Sequence, residues 1–427
     1  MDYRYIRRSF SSQGQASADL ENRLKYTPPT HENAAFFTPM PNTAPPNRPL
    51  RPLIVFGTRP EAIKMSPVIL ECQRRPAQVA PIVCSTGQHR EMLAQVLGYF
   101  GITPDIDLGL MKPGQTLTGL TAACLEAVDS VIVDQKPDCV VVQGDTTTVM
   151  AAAMAAFYHR VPIVHVEAGL RTGDLMAPWP EEFNRRVAGI ITKLHCAPTQ
   201  RSADALLAEG VDAKNIRITG NTVIDALLHS VEKERNEDAK WRAEYPAATA
   251  DSVVLITGHR RENFGPGMAS ILDAIADLAR LHPETQFIYP VHLNPNVKGP
   301  VHERLAGLEN VHLVPPADYP QFVWLMDRAS VVLTDSGGVQ EEAPSLGNAV
   351  LVTREKTERP EAVEAGLAEL VGTNRELIVR RVSESLVVAA KKTRSERASQ
   401  VVDNPYGDGK AAARIVDWMI EDCQRMN

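Results

Sequence analysis

The feature that most constrains the fold is a series of short apolar runs that carry almost no polar residues. A strand with one face in water would alternate apolar and polar residues, so such runs are typical of strands covered on both faces of a parallel sheet. Amphipathic helical stretches, for example Ile63–Cys72 and Met268–Leu281, lie between them. The alternation predicts an α/β fold with doubly wound sheets. The runs are Leu53–Phe56, Ala80–Ser85, Cys139–Gln143, Ile163–Val166, Val253–Thr257, Phe287–Val291, Val311–Val314, Val331–Thr334 and Ala349–Val352.

The runs fall into two series, separated by the charged, strand-poor stretch Val231–Asp251, which we interpret as a helix and linker. We therefore expect two domains, at residues 49–220 and 221–403. Residues 1–48 are rich in Ser, Gln, Asn and Pro without helical or strand periodicity, so we predict a disordered extension. An organellar address and a true start at Met40 are the alternatives for this segment.

Composition excludes several classes of protein. The net charge of −7 gives no reason to expect binding along a nucleic-acid backbone. The six cysteines form no C-x-x-C pair, which favours a reducing cytosol over a disulfide framework or a zinc cluster. No uncharged apolar run reaches the roughly 18 residues that a membrane span needs. We therefore expect a cytoplasmic protein with no membrane partner.

Ligands of open α/β sheets bind beyond the carboxyl ends of the strands, so the loops there are candidates for a site. Asp335-Ser336-Gly337-Gly338 follows the predicted strand Val331–Thr334 and opens a helix that contains Glu342. The glycines allow close approach of a phosphate, and Glu342 is a candidate acceptor for a ribose diol. A plain strand-to-helix turn with a capping box is the alternative.

The first predicted strand ends at a similar turn, Gly57 to Lys64. Arg59 and Lys64 lie near the start of the following helix, where the helix dipole disfavours cations. This placement is explained if both meet an anionic ligand. The alternative is that both are solvated.

Carboxylates follow two further strands. Asp145 comes after Cys139–Gln143, and Glu167 comes after Ile163–Val166. Glu181 and Glu182 follow soon after, and Arg185 is four residues beyond Glu181. Clustered carboxylates raise one another's pKa and suit proton transfer near neutral pH. Asp145 could instead cap a helix, and Glu181 could cap a helix start or pair with Arg185.

In the second series, His259 lies between a strand end and two arginines, Arg260 and Arg261, which suits phosphate binding and proton transfer. His292 follows the next strand. A structural role for His259 is the alternative. We predict no catalytic metal, because the histidines have no metal-ligand spacing.

Eleven sequence blocks run from about residue 54 to residue 415: FGTRPEAIKMSPVI, TGQHREML, GDTTT, HVEAGLRTGD, PWPEEFNRR, ITGNTVIDAL, GHRREN, YPVHLNPNV, LTDSGGVQEEAPSLG, TERPEAVEAG and NPYGDGKA. Together, in this order, they resemble the bacterial non-hydrolysing UDP-N-acetylglucosamine 2-epimerases. The resemblance implies a glycosyltransferase-B-like fold, with two Rossmann-like domains that face each other across a cleft. It also implies a homodimer and a C-terminal helix, within residues 404–427, that packs back on the first domain.

The resemblance also implies roles for residues. The residues that match catalytic positions are Asp145, Glu167, Glu181, Arg185 and His259. The residues that match UDP-binding positions are Arg59, Lys64, His292, Ser336, Gly337, Gly338 and Glu342. Gln88, Arg260 and His292 match an allosteric site for the substrate, although some relatives have arginine where this chain has Gly114. Whether this chain keeps allosteric control is left open.

The implied reaction is elimination of UDP and its re-addition through 2-acetamidoglucal, with inversion at C2 and no redox cofactor. Three alternatives use the same fold: a hydrolysing epimerase, a glycosyltransferase, and an inactive sensor of nucleotide sugars. The polysaccharide pathway that would use the product is left open.

Overall fold

The computed structural model describes residues 48–87, 90–112, 114–393, 396 and 404–426. Of the predicted extension, only Arg48 falls within this range, where it pairs with Asp138 at 2.8 Å. The prediction of disorder therefore concerns residues outside the described range, as does the allosteric candidate Gln88. None of the described helices is long and apolar enough to cross a bilayer.

The first sheet has seven parallel strands in the order β3-β2-β1-β4-β5-β6-β7. Its central strands are buried along their whole length, as the uninterrupted apolar runs predicted. The strands are β1 (Pro52–Phe56), β2 (Ile82–Ser85), β3 (Ile106–Asp107), β4 (Cys139–Gln143), β5 (Ile163–Val166), β6 (Leu194–Ala197) and β7 (Ile216–Ile218).

Helices cover this sheet, and four of them begin at side-chain caps. Thr58 and Glu61 form a capping box at the start of α1, and Thr116, Thr146 and Thr199 cap α3, α4 and α6. The helices are α1 (Arg59–Gln73), α2 (Arg90–Phe100), α3 (Leu117–Gln135), α4 (Thr147–Tyr158), α5 (Glu181–Ile191) and α6 (Gln200–Ala208).

The second sheet has six parallel strands in the order β10-β9-β8-β11-β12-β13. Numbered from its own first strand, this is the order 3-2-1-4-5-6, the Rossmann order, which the first sheet also has and extends by one strand. The strands are β8 (Val253–Thr257), β9 (Gln286–Pro290), β10 (Val311–Val314), β11 (Val331–Thr334), β12 (Ala349–Val352) and β13 (Ala368–Leu370).

The helices of the second half lie before, between and after these strands. Two of them, α7 and α15, connect the halves: α7 packs on α1, α11 and α12, and α15 packs on α1 and α7. The helices are α7 (Thr222–Asn236), α8 (Asp238–Glu244), α9 (Pro266–Leu281), α10 (Pro295–Leu305), α11 (Tyr319–Arg328), α12 (Gly337–Glu342), α13 (Pro360–Glu364), α14 (Arg375–Ala389) and α15 (Ala411–Met426).

Polar contacts fix the last helix, α15, to α7 and to the first half. Asp225 accepts hydrogen bonds from the backbone N–H groups of Ala411 and Ala412 at the start of α15. Asp417 pairs with Arg75 of the loop after α1, and Glu421 pairs with Arg217 of β7 at 2.7 Å.

The nine predicted strands are all present, six of them with the predicted bounds. Four observed strands were not predicted: β3, β6, β7 and β13. Three of these lie at sheet edges and have only two or three residues, and β6 contains His195, which interrupts its apolar run. The stretch Val231–Asp251 is mostly helical as predicted, although α7 begins earlier, at Thr222.

Candidate active site

A cavity of about 900 Å³ lies at the carboxyl edge of the first sheet. The loops after β1, β4 and β5 form one wall, and residues 354–361 of the second half form another. Five of the predicted site residues line this cavity together: Lys64, Asp145, Glu167, Glu181 and Arg185.

Asp145 lies two residues after the end of β4 and pairs with Arg185. Its backbone carbonyl accepts a hydrogen bond of 2.9 Å from the Asn184 side chain. The cap of α4 is Thr146, whose side chain accepts from the N–H of Val149. The alternative prediction, that Asp145 caps this helix, is therefore wrong, and its carboxylate faces the cavity.

Glu167 lies directly after β5 in a left-handed backbone conformation, with φ of +62°. Non-glycine residues rarely adopt this conformation, and it persists where the surroundings hold it. The Glu167 carboxylate accepts hydrogen bonds from Lys64, at 2.6 Å, and from Gln143. The ion pair with Lys64 therefore joins α1, the helix that follows β1, to the end of β5.

Burial of Glu167 alone would raise its pKa, but Lys64 and Arg359 outweigh burial and hold the pKa below its usual value. Burial alone would lower the pKa of Lys64, and Glu167 and Glu341 together reverse the effect. Because the Lys64 side chain is only 18% exposed and paired, the alternative that it is a solvated surface residue is wrong.

Helix α5 supplies Glu181, Glu182 and Arg185. Glu181 is the first residue of the helix and lines the cavity. Arg185 pairs with Asp145 and, at 3.1 Å, with Glu182, rather than with Glu181. Glu182 is fully buried and also accepts from the N–H of Thr172 and from Arg186. It therefore fixes the arginine that holds Asp145.

Residues 354–361 bring further cations to the cavity, and none of these was predicted from the sequence. Arg359 pairs with Glu341, and its charge also acts on Glu167. Arg354 is buried and pairs with Glu262 at 2.6 Å. The signal that could have indicated Arg354 is its position just beyond β12, at the carboxyl edge of the second sheet.

A second cluster of polar residues, apart from the 900 Å³ cavity, lies at the carboxyl edge of the second sheet. The backbone N–H groups of His259 and Arg260 both donate to the buried Asp335, at 2.8 Å. The rings of His259 and His292 stack with centroids 5.5 Å apart. Burial first, and then His292 and Arg260, lower the pKa of His259, although Asp335 opposes them. The His259 side chain is 45% exposed, which argues against a purely structural role.

The turn after β11 has the predicted form, and Ser336 occupies the cap position of α12. Its side chain makes no capping hydrogen bond, so the capping-box alternative is wrong. A side chain at Gly337 would meet the Arg260 guanidinium at 3.7 Å, and Gly338 is exposed. Glu342 is buried, and burial together with Glu341 raises its pKa to about 8.

Arg59 lies apart from Lys64, although both belong to the first turns of α1. It lines a neighbouring recess of about 460 Å³ together with Tyr99, Trp241 and Tyr319. The structure thus gathers Lys64 with the three carboxylates and Arg185. Arg59, His259, His292, Ser336 to Gly338 and Glu342 lie outside the lining of the 900 Å³ cavity. Within the described part of the chain, no three His, Cys, Asp or Glu side chains are arranged to hold a metal ion.

Known proteins resemble this chain in both sequence and architecture. A sequence profile of the UDP-N-acetylglucosamine 2-epimerase family matches residues 70–420. The chain is 51% identical to the UDP-N-acetylglucosamine 2-epimerase of Escherichia coli K12 over 372 residues, which cover 86% of this chain and 98% of the relative. It also resembles the crystal structure of the Neisseria meningitidis UDP-GlcNAc 2-epimerase bound to UDP-GlcNAc, with 46% identity, a TM-score of 0.78, and coverage of 87% of this chain and 100% of that chain.

A more distant structural relative reports on the fold alone. A glycosyltransferase from Rickettsia africae is only 13% identical, yet it superposes with a TM-score of 0.58 over 88% of this chain and 98% of its own. The fold is therefore that of two parallel-sheet α/β domains related to the glycosyltransferase-B fold, as predicted. With a profile match over most of its length and half of its aligned residues identical to a relative, this chain belongs to the UDP-N-acetylglucosamine 2-epimerase family.

Proposed function

We propose that this chain interconverts UDP-N-acetylglucosamine and UDP-N-acetylmannosamine without hydrolysing them. The observation that carries the proposal is the single cavity in which Asp145, Glu167 and Glu181 lie beside Lys64 and Arg185. Inversion at C2 needs a group that removes a proton from one face of the sugar and a group that returns it to the other. Three carboxylates around one cavity supply such groups.

The proposed reaction is an elimination followed by an addition. A base takes the C2 proton, the electron pair of that C–H bond forms the C1–C2 double bond, and the C1–O bond breaks with its electrons on UDP. The products are 2-acetamidoglucal and UDP, both held by the enzyme. A proton then adds to C2 from the opposite face, and the UDP oxygen re-forms its bond to C1. No atoms are gained or lost, and no redox cofactor takes part.

The surrounding cations support this assignment. Departure of UDP places negative charge on the diphosphate, and fixed cations stabilise charge that develops in a transition state. Lys64, Arg354 and Arg359 border the cavity, and we assign the diphosphate to this region, with Arg59 and His292 completing the UDP site. We assign Ser336, Gly337 and Gly338 to the phosphate, and Glu342 to the ribose diol. Protonated Glu342, favoured by its raised pKa, would donate to a ribose oxygen.

The test follows the sugar by proton NMR after the purified chain is mixed with UDP-N-acetylglucosamine in deuterated water. We expect an equilibrium mixture with UDP-N-acetylmannosamine, deuterated at C2, with UDP attached. Free N-acetylmannosamine with UDP would move the assignment to a hydrolysing epimerase. Folded protein that binds UDP but exchanges nothing at C2 would contradict the proposal and leave a glycosyltransferase or a sensor.

The same assay tests the individual roles. We expect Asp145→Asn, Glu167→Gln and Glu181→Gln each to lower the rate by about 100- to 10,000-fold, the usual contribution of a general acid or base. UDP affinity is expected to change little for Glu181→Gln, whose side chain has no role in holding UDP. His259→Asn is expected to lower the rate as well. A variant that keeps full activity would remove its residue from the catalytic set.

We also propose a homodimer, for which an apolar surface on α5 is the structural support. Phe183 and Ile190 are seven residues apart on this helix and are 48% and 83% exposed, and Trp179 just before it is 60% exposed. Exposed apolar stripes of this kind are typical of interfaces. Light scattering is expected to give a dimer for the wild type and a monomer for the double variant Phe183→Glu/Ile190→Glu. A folded double variant that remains a dimer would exclude this surface.

The substrate could also act as an activator, and we assign Arg260 and His292 to such a site, since both lie beside His259. Traces of UDP-N-acetylglucosamine are then expected to accelerate conversion of UDP-N-acetylmannosamine, and Arg260→Ala is expected to abolish the acceleration. A reaction that starts without a lag in pure UDP-N-acetylmannosamine would refute this role. We place the reaction in the cytosol, in keeping with the five free, buried cysteines among the described residues.

A further inference from the structure

His165 is a buried side chain to which the proposed reaction gives no role. It lies in β5, two residues before Glu167, and is 1% exposed. Its Nε2 atom is 2.7 Å from the carbonyl oxygen of Gly144. Gly144 directly precedes Asp145, and the carbonyl belongs to the peptide bond that leads into Asp145. The contact therefore connects the loop that carries Asp145 to β5, the strand that Glu167 follows.

The geometry defines the protonation of this histidine. A carbonyl oxygen only accepts hydrogen bonds, so the proton lies on Nε2. Burial lowers the pKa of His165 to about 4, although the bond to Gly144 opposes this, so the ring is neutral near neutral pH. Its Nδ1 atom has no hydrogen-bond partner among the described residues. The one N–H of the ring is thus used on Gly144.

A second hydrogen bond completes the link between the strand ends. The N–H of Gly144 donates to the carbonyl of Val166 at 3.0 Å. Both polar backbone groups of Gly144 are therefore fixed by β5, one by the backbone and one by His165. Glu167 has φ of +62°, a conformation that a non-glycine residue keeps only where its surroundings hold it.

We propose that His165 is a positioning residue, which sets the relative placement of the Asp145 and Glu167 carboxylates through its bond to the Gly144 carbonyl. The inference rests on the proposed epimerisation. A displacement of a reacting group by about 1 Å can cost on the order of 100-fold in rate. Loss of the Nε2–H donor is therefore expected to act mainly on kcat, because His165 itself has no assigned contact with UDP.

Two substitutions of similar size separate the hydrogen bond from packing. His165→Met has no N–H, and His165→Gln places an amide N–H near the position of Nε2. For the methionine variant we expect kcat and the rate of C2 deuterium exchange to fall on the order of 100-fold, with KM little changed. The glutamine variant is expected to recover most of the lost kcat. If the methionine variant does not fold, His165→Asn, whose amide is too short to reach Gly144, replaces it.

His195 supplies the matched control. It is the register partner of His165 on β6, is also 1% exposed, and has a pKa lowered by burial. His195→Met is expected to lower the melting temperature about as much as His165→Met and to leave kcat near the wild-type value.

The outcomes are distinguishable. Wild-type protein without epimerisation would refute the proposed function, and this inference with it. Active wild type with equal kcat for the two methionine variants would refute the inference alone. A glutamine variant no faster than the methionine variant would also overturn it, because the N–H donor would then be irrelevant.

Discussion

Glu182 is the buried carboxylate on which the geometry of Arg185 depends, and its removal is expected to destabilise the protein strongly. Its exposed fraction is 0%, and four N–H donors reach it: Thr172 N at 3.1 Å, Gly173 N at 3.4 Å, Arg185 Nη1 at 3.1 Å and Arg186 Nε at 3.2 Å. Each carboxylate oxygen receives two of them. In Glu182→Gln, an NH₂ group replaces one oxygen, so two donors lose their acceptor.

The magnitude follows from those lost bonds. Hydrogen bonds to charged groups contribute about 1.5–3 kcal/mol each, and removal of one partner from a buried ion pair costs about 3–5 kcal/mol. Arg185 keeps its pair with Asp145, so the lower end applies. We expect the free energy of unfolding to fall by about 3 kcal/mol, measured by urea denaturation of the ligand-free protein followed by circular dichroism.

An exposed carboxylate in the same region provides the control. Glu209 accepts two hydrogen bonds of 2.8 Å from Arg171, but its side chain is 36% exposed. Exposed pairs contribute about 0–1 kcal/mol, so Glu209→Gln is expected to change stability by no more than that. A loss below about 1 kcal/mol for Glu182→Gln, or a loss equal to that of Glu209→Gln, would refute the reasoning.

Three further predictions concern other parts of the chain. Gly169→Ala is expected to destabilise the fold by several kcal/mol in the same urea assay, since its Cβ would lie 2.2 Å from the Ser202 carbonyl oxygen at a φ of +93°; wild-type stability would contradict the geometry. Because the pKa of Glu342 is raised to about 8, the folded protein binds a proton more tightly than the unfolded chain, so this group's contribution to stability falls between about pH 4.5 and pH 8. The melting temperature of Glu342→Gln minus that of the wild type is therefore expected to increase from pH 5 to pH 9. A difference that stays constant would refute this. Asp225→Ala, which leaves the N–H groups of Ala411 and Ala412 without their acceptor, is expected to increase hydrogen exchange in α15 before the rest of the chain; unchanged protection would contradict the role of Asp225.

The sequence predicted that Asp145 and Glu167 lie at one edge of a sheet, because the carboxyl ends of parallel strands share that edge. In the structure both line one cavity, together with Lys64. The cation partners could not be predicted in the same way. Arg359 lies 192 positions after Glu167 in the other half of the chain, and only the packing of the two halves brings its charge to that carboxylate.

The sequence by itself determined the fold class, most of the strands and the family, because each is carried by local patterns: uninterrupted apolar runs, strand-to-helix turns and motifs in a fixed order. Only the tertiary structure decided which charges pair. It put Arg185 on Asp145 and Glu182 rather than on Glu181, separated Arg59 from Lys64, and enclosed His165 behind the two carboxylates. Ion pairs and hydrogen bonds act over a few ångströms, and residues far apart in sequence reach that distance only when the sheets and helices have packed.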